Sequence, residues 1–139
     1  MPTSLRSAFP IAVDADLIGE YPAQTKSGGG YFYDAVLEYR VWVHPHDGGE
    51  DLYDGDDYYC AFATFEEASA YSRETAGAEQ PLVLVRQDEC INEPEPGRYE
   101  HHTGERLTEW RVEWLEGSKR TPSSIPDFLQ RHGSPALNS

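Results

Sequence analysis

Residues 31–46, YFYDAVLEYRVWVHPH, are the longest stretch of this sequence in which apolar and polar side chains alternate. Because successive side chains of a strand point to opposite faces of a sheet, this two-residue period predicts one long strand. One face of the strand is expected to be apolar and the other charged, with an aromatic tip. The apolar face would carry Ala35, Leu37, Tyr39, Val41 and Val43, and the charged face Asp34, Val36, Glu38, Arg40, Trp42 and His44.

The rest of the chain predicts elements that pair with this strand or cover it. Apolar and aromatic runs indicate four further strands, at 58–65, 81–91, 99–102 and 106–115. A capping box from Thr64 to Glu67 predicts a helix that ends near residue 76, before Gly77, and a short second helix is expected over 125–132. The helix between the second and third strands is also a crossover that could make those two strands parallel. We therefore predict an α+β fold with an about five-stranded, mostly antiparallel sheet, one main helix packed on one face and a short C-terminal helix.

Composition divides the chain into three parts. Residues 1–30 contain three prolines and the run Ser27-Gly28-Gly29-Gly30, which predict a flexible N-terminal arm. A phosphate-cradling loop is the alternative for these glycines, but it needs a helix after them, and here a strand is predicted to follow. Residues 31–132 are expected to form a single α+β domain, and residues 133–139 a C-terminal tail.

The charge limits the partners of the chain. A net charge of -14 on 139 residues repels nucleic-acid backbones and anionic membranes, so we expect no direct nucleic-acid binding and no membrane association. Cys60 and Cys90, thirty residues apart, are read as small buried residues, with a disulfide as the alternative. No apolar leader is evident, and the expected location is cytoplasmic. The abundant aromatic residues favour a homodimer or another protein partner.

Charged residues on the predicted strands are the first candidates for a ligand site. Charges alternate along the first and fifth strands, and they would pair across the ladder if these strands were neighbours. The functional alternative is a polar platform that binds a small ligand or a partner. Its ligand-binding candidates are Glu38, Arg40, Trp42, Arg86, Glu109, Arg111 and Glu113.

The segment that follows the first strand holds the candidate metal ligands, His44, His46 and Asp47. Imidazole and carboxylate groups are ligands of Zn²⁺ and other transition metals, although the spacing matches no specific motif. No cofactor is predicted outright, and a divalent metal remains an alternative to a solvated acidic loop.

Three segments, YFYDAVLEYRVWVHP, YYCAFATFEEA and TEWRVEWL, resemble a family of small uncharacterised proteins from bacteria, mostly proteobacteria. The resemblance spans residues 31–128. Some members are labelled GCN5-type (GNAT) acetyltransferases, which implies acetyl-CoA as a cofactor. The R/Q-x-x-G-x-G/A loop that holds acetyl-CoA in such enzymes does not occur in this sequence.

Three functional hypotheses follow. The first is a non-catalytic, small, acidic binding or regulatory module. The second, implied by the resemblance, is an acetyltransferase-like enzyme that binds acetyl-CoA. The third is an acidic mimic of nucleic acid that binds a basic protein partner, which the net charge of -14 suggests. The loop 45–57 alone carries six acidic residues and no lysine or arginine.

Overall fold

The computed structural model describes residues 9–132 and has an α+β fold. Within this range, five strands form one mixed sheet: β1 is Lys26–Ser27, β2 Ala35–Val43, β3 Tyr58–Phe62, β4 Leu82–Glu95 and β5 Arg98–Arg111. The main helix, α1, is Phe65–Glu74, and the short C-terminal helix, α2, is Ser124–Arg131. The predicted fold class is confirmed, whereas the tail at 133–139 lies outside the described residues.

The strand order is β1-β5-β4-β2-β3, which places β4 at the centre of the sheet. All pairings are antiparallel except that of β1 with β5. Because β3 and β4 are both antiparallel to β2, they run parallel to each other, as the crossover through α1 predicted. The first half of β4 is apolar on both faces because both faces of a central strand are covered.

The simple alternation predicted for residues 31–46 is wrong. The strand is shorter, and its register with β4 shifts between Val36 and Glu38. Such a bulge adds one residue and reverses the faces that follow. Tyr39 therefore shares the main core with Val36, whereas Leu37 packs with Leu84 on the opposite face.

The predicted fourth and fifth strands are one strand, β5. The turn expected at 103–105 is a bulge, in which Gln87 pairs with Arg106 and Glu89 with Thr103. Gly104 accommodates it with a φ of 121°. The predicted extension to residue 115 is also wrong, because Arg111 pairs with Leu82, the first residue of β4, and no partner remains beyond it. Residues Val112–Leu115 instead form a 3-10 turn.

Helix α1 covers one face of the sheet. Thr64 is its N-cap, and the hydroxyl Oγ1 accepts a hydrogen bond from the amide of Glu67, which confirms the predicted helix start. Ala68 is fully buried on this face, which also buries Val83 and Trp110. The small side chain at Ala68 allows the helix to lie close to the sheet.

Residues 9–30, the described part of the predicted arm, lie against the sheet. The amides of Ala12 and Val13 donate to the carbonyls of Ala63 and Val36, and the amide of Gly28 donates to the backbone carbonyl of Glu109. Tyr21 packs on the side of the sheet opposite α1, beside Leu84. The sheet is therefore covered on both sides, by α1 and by this segment. The flexibility assigned to the arm stays a prediction.

Candidate binding cleft

Three of the predicted ligand-binding residues form a buried network beneath residues 19–24. The guanidinium of Arg40 contacts Glu38 at 2.7 Å and Glu109 at 3.0 Å, and it donates to the carbonyls of Pro22 and Ala23. Glu38 and Arg40 have no exposed side-chain surface. The strands β2 and β5 are not neighbours, so Arg40 reaches Glu109 across β4. This geometry pairs charges inside the protein and offers no open platform.

Of the other predicted candidates, Trp42 joins this network, whereas Arg86, Arg111 and Glu113 form ion pairs outside it. Trp42 donates its indole N–H to Glu109 at 2.9 Å. Arg86 pairs with Asp88 on its own strand, and the exposed side chains of Arg111 and Glu113 pair with each other. Of these residues, Glu113 also lines the cleft described below.

The predicted metal ligands do not converge. His44 is bound at both ring nitrogens by carboxylates, Nδ1 by Asp57 at 2.8 Å and Nε2 by Glu79. These two hydrogen bonds raise the pKa of His44 above 6.5, and the bond with Asp57 has the larger effect. His46 and Asp47 lie in the 3-10 turn Pro45–Asp47 and are exposed. Among residues 9–132, no group of three or more His, Cys, Asp or Glu residues is arranged to hold a metal ion.

A cleft of about 760 Å³ lies beside the glycine run that precedes β2. Gly28, Gly29, Gly30 and Tyr31 all have positive φ, between 68° and 92°. Residues with a side chain rarely adopt this backbone conformation, so the three glycines allow the backbone to curve over the sheet. The amide of Ile91 donates to the carbonyl of Gly30, which holds the loop against β4.

Gln87 fixes the glycine loop to the sheet. Its side chain is fully buried, and its Nε2 donates to the carbonyls of Gly29 and Phe32. Its Oε1 accepts from Thr108 at 2.6 Å and from Arg106 at 2.8 Å. The amide group thus uses both its donors and both acceptor positions. The indole of Trp110 donates to the same carbonyl of Gly29, so one oxygen joins the loop to two strands.

Aromatic rings and carboxylates line the cleft. Trp110 is buried, whereas Trp114 and Tyr31 keep 43% and 40% of their surface exposed and are available to a ligand. The rings of Trp110 and Trp114 meet edge to face, with centroids 6.3 Å apart. Glu93, Glu113 and Glu116 also line it and are exposed.

The rim carboxylates differ in their own contacts. Glu93 accepts from the hydroxyl of Tyr31 at 2.6 Å, and this bond, followed by burial, raises the pKa of Tyr31 to about 12. Glu113 pairs with Arg111, whereas Glu116 makes no ion pair with any residue in the range 9–132. The cleft therefore offers three carboxylates, at least one of them unpaired, beside exposed indole and phenol rings.

No protein-family model, curated protein or solved structure matches this chain. Within residues 9–132, no helix combines the length and the apolar character needed to cross a membrane. The fold and the cleft thus define a small α+β protein with an aromatic, acid-rimmed site.

Sequence reasoning missed most of this site. Glycine content alone indicates a flexible linker, and a phosphate-binding loop would need a helix after the glycines, whereas this loop packs on strands. The sequence does not reveal the role of Gln87, because a glutamine in a predicted strand gives no indication of whether its side chain is buried or exposed. The sequence TEWRVEW did carry a usable signal, since it brings Trp110, Glu113 and Trp114 into one short segment.

Proposed function

We propose that this chain is a non-catalytic binding module whose cleft holds a lysine or arginine side chain of a protein partner. The observation that carries the proposal is the pairing of exposed Trp114 and Tyr31 with three glutamates around one cleft. Aromatic faces attract cations, at about 0.5–1 kcal/mol for an exposed site. The net charge of -14 adds a long-range attraction for a basic partner.

The acetyl-CoA alternative has less support. A pyrophosphate is usually held by backbone amides at the N-terminus of a helix. The glycine loop leads into β2, and α1 carries Glu66 and Glu67 in its first turn. The three glutamates at the cleft outnumber Arg106, the one lysine or arginine among its lining residues, and would also repel a phosphate. These features favour a cationic ligand.

The mimicry alternative rests on the acidic loop. All six acidic residues of the segment 45–57 are exposed, but the segment contains only the short turn Pro45–Asp47 as regular structure. Mimicry of a nucleic-acid backbone needs carboxylates spaced along a rigid face. The cleft therefore supports recognition of a basic partner more directly than this loop does.

The proposal is tested by titrating the protein with short arginine-containing peptides while following tryptophan fluorescence. Trp114 is exposed at the cleft, so its emission should change on binding, and added salt should weaken the affinity. The same peptides with glutamine in place of arginine should not bind.

Two variants and a control locate the site. Trp114→Ala and Glu116→Gln should each weaken binding about threefold or more, as expected for the loss of one exposed contact. Glu105→Gln is the matched control, because Glu105 is exposed on β5 and does not line the cleft. Equal weakening by all three variants, or binding of the glutamine peptides, would contradict the proposal.

A further inference from the structure

Arg106 is a cation in this acid-rimmed cleft, and its own partners are neutral. Its Nε donates to Gln87 Oε1 at 2.8 Å, and its Nη1 donates to Asn92 Oδ1 at 3.3 Å. Gly30, which is buried, lies so close that a Cβ there would be 2.8 Å from Nη2 of Arg106. Two amide side chains therefore hold the guanidinium beside buried Gly30. Arg106 is half-buried and marks the inner part of the cleft, whereas Trp114 and the three glutamates are exposed and mark its outer part.

The other half-buried or buried arginines in the range 9–132 each contact a carboxylate. Arg40 contacts Glu38, Arg86 contacts Asp88, and Arg120 contacts Asp34. Arg106 has no such contact with any residue in this range, although the chain has 25 acidic residues. Amide oxygens satisfy hydrogen bonds, but they do not neutralise the charge. A guanidinium also has five N–H donors, so several on Nη1 and Nη2 remain for a ligand.

We propose that Arg106 binds the C-terminal carboxylate of the peptide whose basic side chain occupies the outer part of the cleft. This inference rests on the function proposed above. A carboxylate matches the planar fork of a guanidinium and carries a single charge. A phosphate would meet stronger repulsion from Glu93, Glu113 and Glu116. The ligand thus has opposite charges that match the two parts of the cleft.

The test compares three N-acetylated peptides that share one arginine. The first has a free C-terminal carboxylate, the second is amidated, and the third is amidated and carries an aspartate beside the arginine. We expect the free acid to bind the full chain about tenfold more tightly than the amide, as the loss of a charge-assisted bidentate pair implies. Equal affinity of the free acid and the amide would overturn the inference. Full recovery in the aspartate peptide would overturn the assignment to a chain terminus.

Variants at Arg106 show whether this residue causes the preference. Arg106→Gln should bind the free acid and the amide equally, and Arg106→Lys should keep part of the preference, because the charge remains. Glu105→Gln should keep all of it. An unchanged preference in Arg106→Gln would overturn the inference. If that variant does not fold, Arg106→Lys and the comparison of peptides on the unmodified chain still decide the question.

The failure of this inference differs from failure of the proposed function. If basic peptides bind without regard to the carboxylate, the proposed function stands and the role of Arg106 is wrong. If no basic peptide binds, the proposed function is wrong, and Arg106 is then tested alone with N-acetylglycine and its amide. Protection from thermal unfolding by the acid only would support an anion site, whereas equal behaviour of acid and amide would exclude it.

Discussion

Replacement of Arg40 by methionine should strongly destabilise the protein. The side chain of Arg40 is fully buried and contacts Glu38 and Glu109 together with two backbone carbonyls. Methionine fills part of the volume but removes the charge and all these donors. Glu38 would keep one hydrogen bond, from the amide of Gly19, and would be left as a buried anion without a cation.

The size of the effect follows from burial. Removing one partner of a buried ion pair costs about 3–5 kcal/mol, because the remaining charge is desolvated and unpaired. The carbonyls of Pro22 and Ala23 also lose their donors, so we expect a loss of about 4 kcal/mol or more. A domain of this size has a free energy of unfolding of about 5–15 kcal/mol, so the variant would be marginally stable.

Urea unfolding, followed by circular dichroism, measures the change. Arg111→Met is the matched control, because its pair with Glu113 is exposed and should contribute only about 0–1 kcal/mol. Adding Glu38→Gln to Arg40→Met should recover part of the lost stability, because it removes the unpaired buried charge of Glu38. Equal destabilisation by Arg40→Met and Arg111→Met would refute the reasoning, and no recovery in the double variant would show that packing rather than charge is responsible.

Three further predictions concern the loop and two titrating groups. In urea unfolding, Gly30→Ala should destabilise the protein by about 1–3 kcal/mol more than Gly29→Ala. Both positions have positive φ, but of the two only Gly30 is placed so that an added Cβ would meet other side chains. Equal losses of stability would contradict the packing of the loop. The carboxylates of Asp57 and Glu79 raise the folded-state pKa of His44 above 6.5. The stability that these two contacts give the folded protein is therefore fully present below pH 6.5 and is lost as the pH rises through the raised pKa. His44→Gln should remove this part of the pH dependence, and an NMR titration that places the pKa of His44 at or below 6.5 would disprove it. Glu93→Gln should lower the pKa of Tyr31 from about 12 towards 10.0 in an ultraviolet titration, and an unchanged value would show that the hydrogen bond is not its cause.

The local elements could be predicted from the sequence because their signals are local. The hydroxyl of Thr64 and the amide of Glu67 lie within one helical turn, so the capping box located the start of α1. The apolar run in β4 indicated a strand covered on both faces, and β4 is central. By contrast, the bulges at Val36 and Gly104 depend on the pairing of β4 with its neighbours, and no period within one strand reports them.

The candidate site was predicted poorly because it is built from distant segments. The sequence placed the charges of Glu38 and Arg40 on a strand face but could not say that residues 19–24 bury that face. Nothing in the sequence connects the glycine run with Arg106. Gln87, more than fifty residues after the glycines, brings them together through its side-chain amide.

The sequence alone predicts the fold class, the helix between β3 and β4, the short C-terminal helix and the strongly acidic charge. These properties follow from residue periodicity, capping and composition, which act over a few neighbouring residues or need no geometry. The packing of distant segments sets which charges are buried, where the strands bulge and that a cleft forms beside the glycine loop. Those outcomes depend on long-range hydrogen bonds and on the cover over each face, which are set when separate segments pack together.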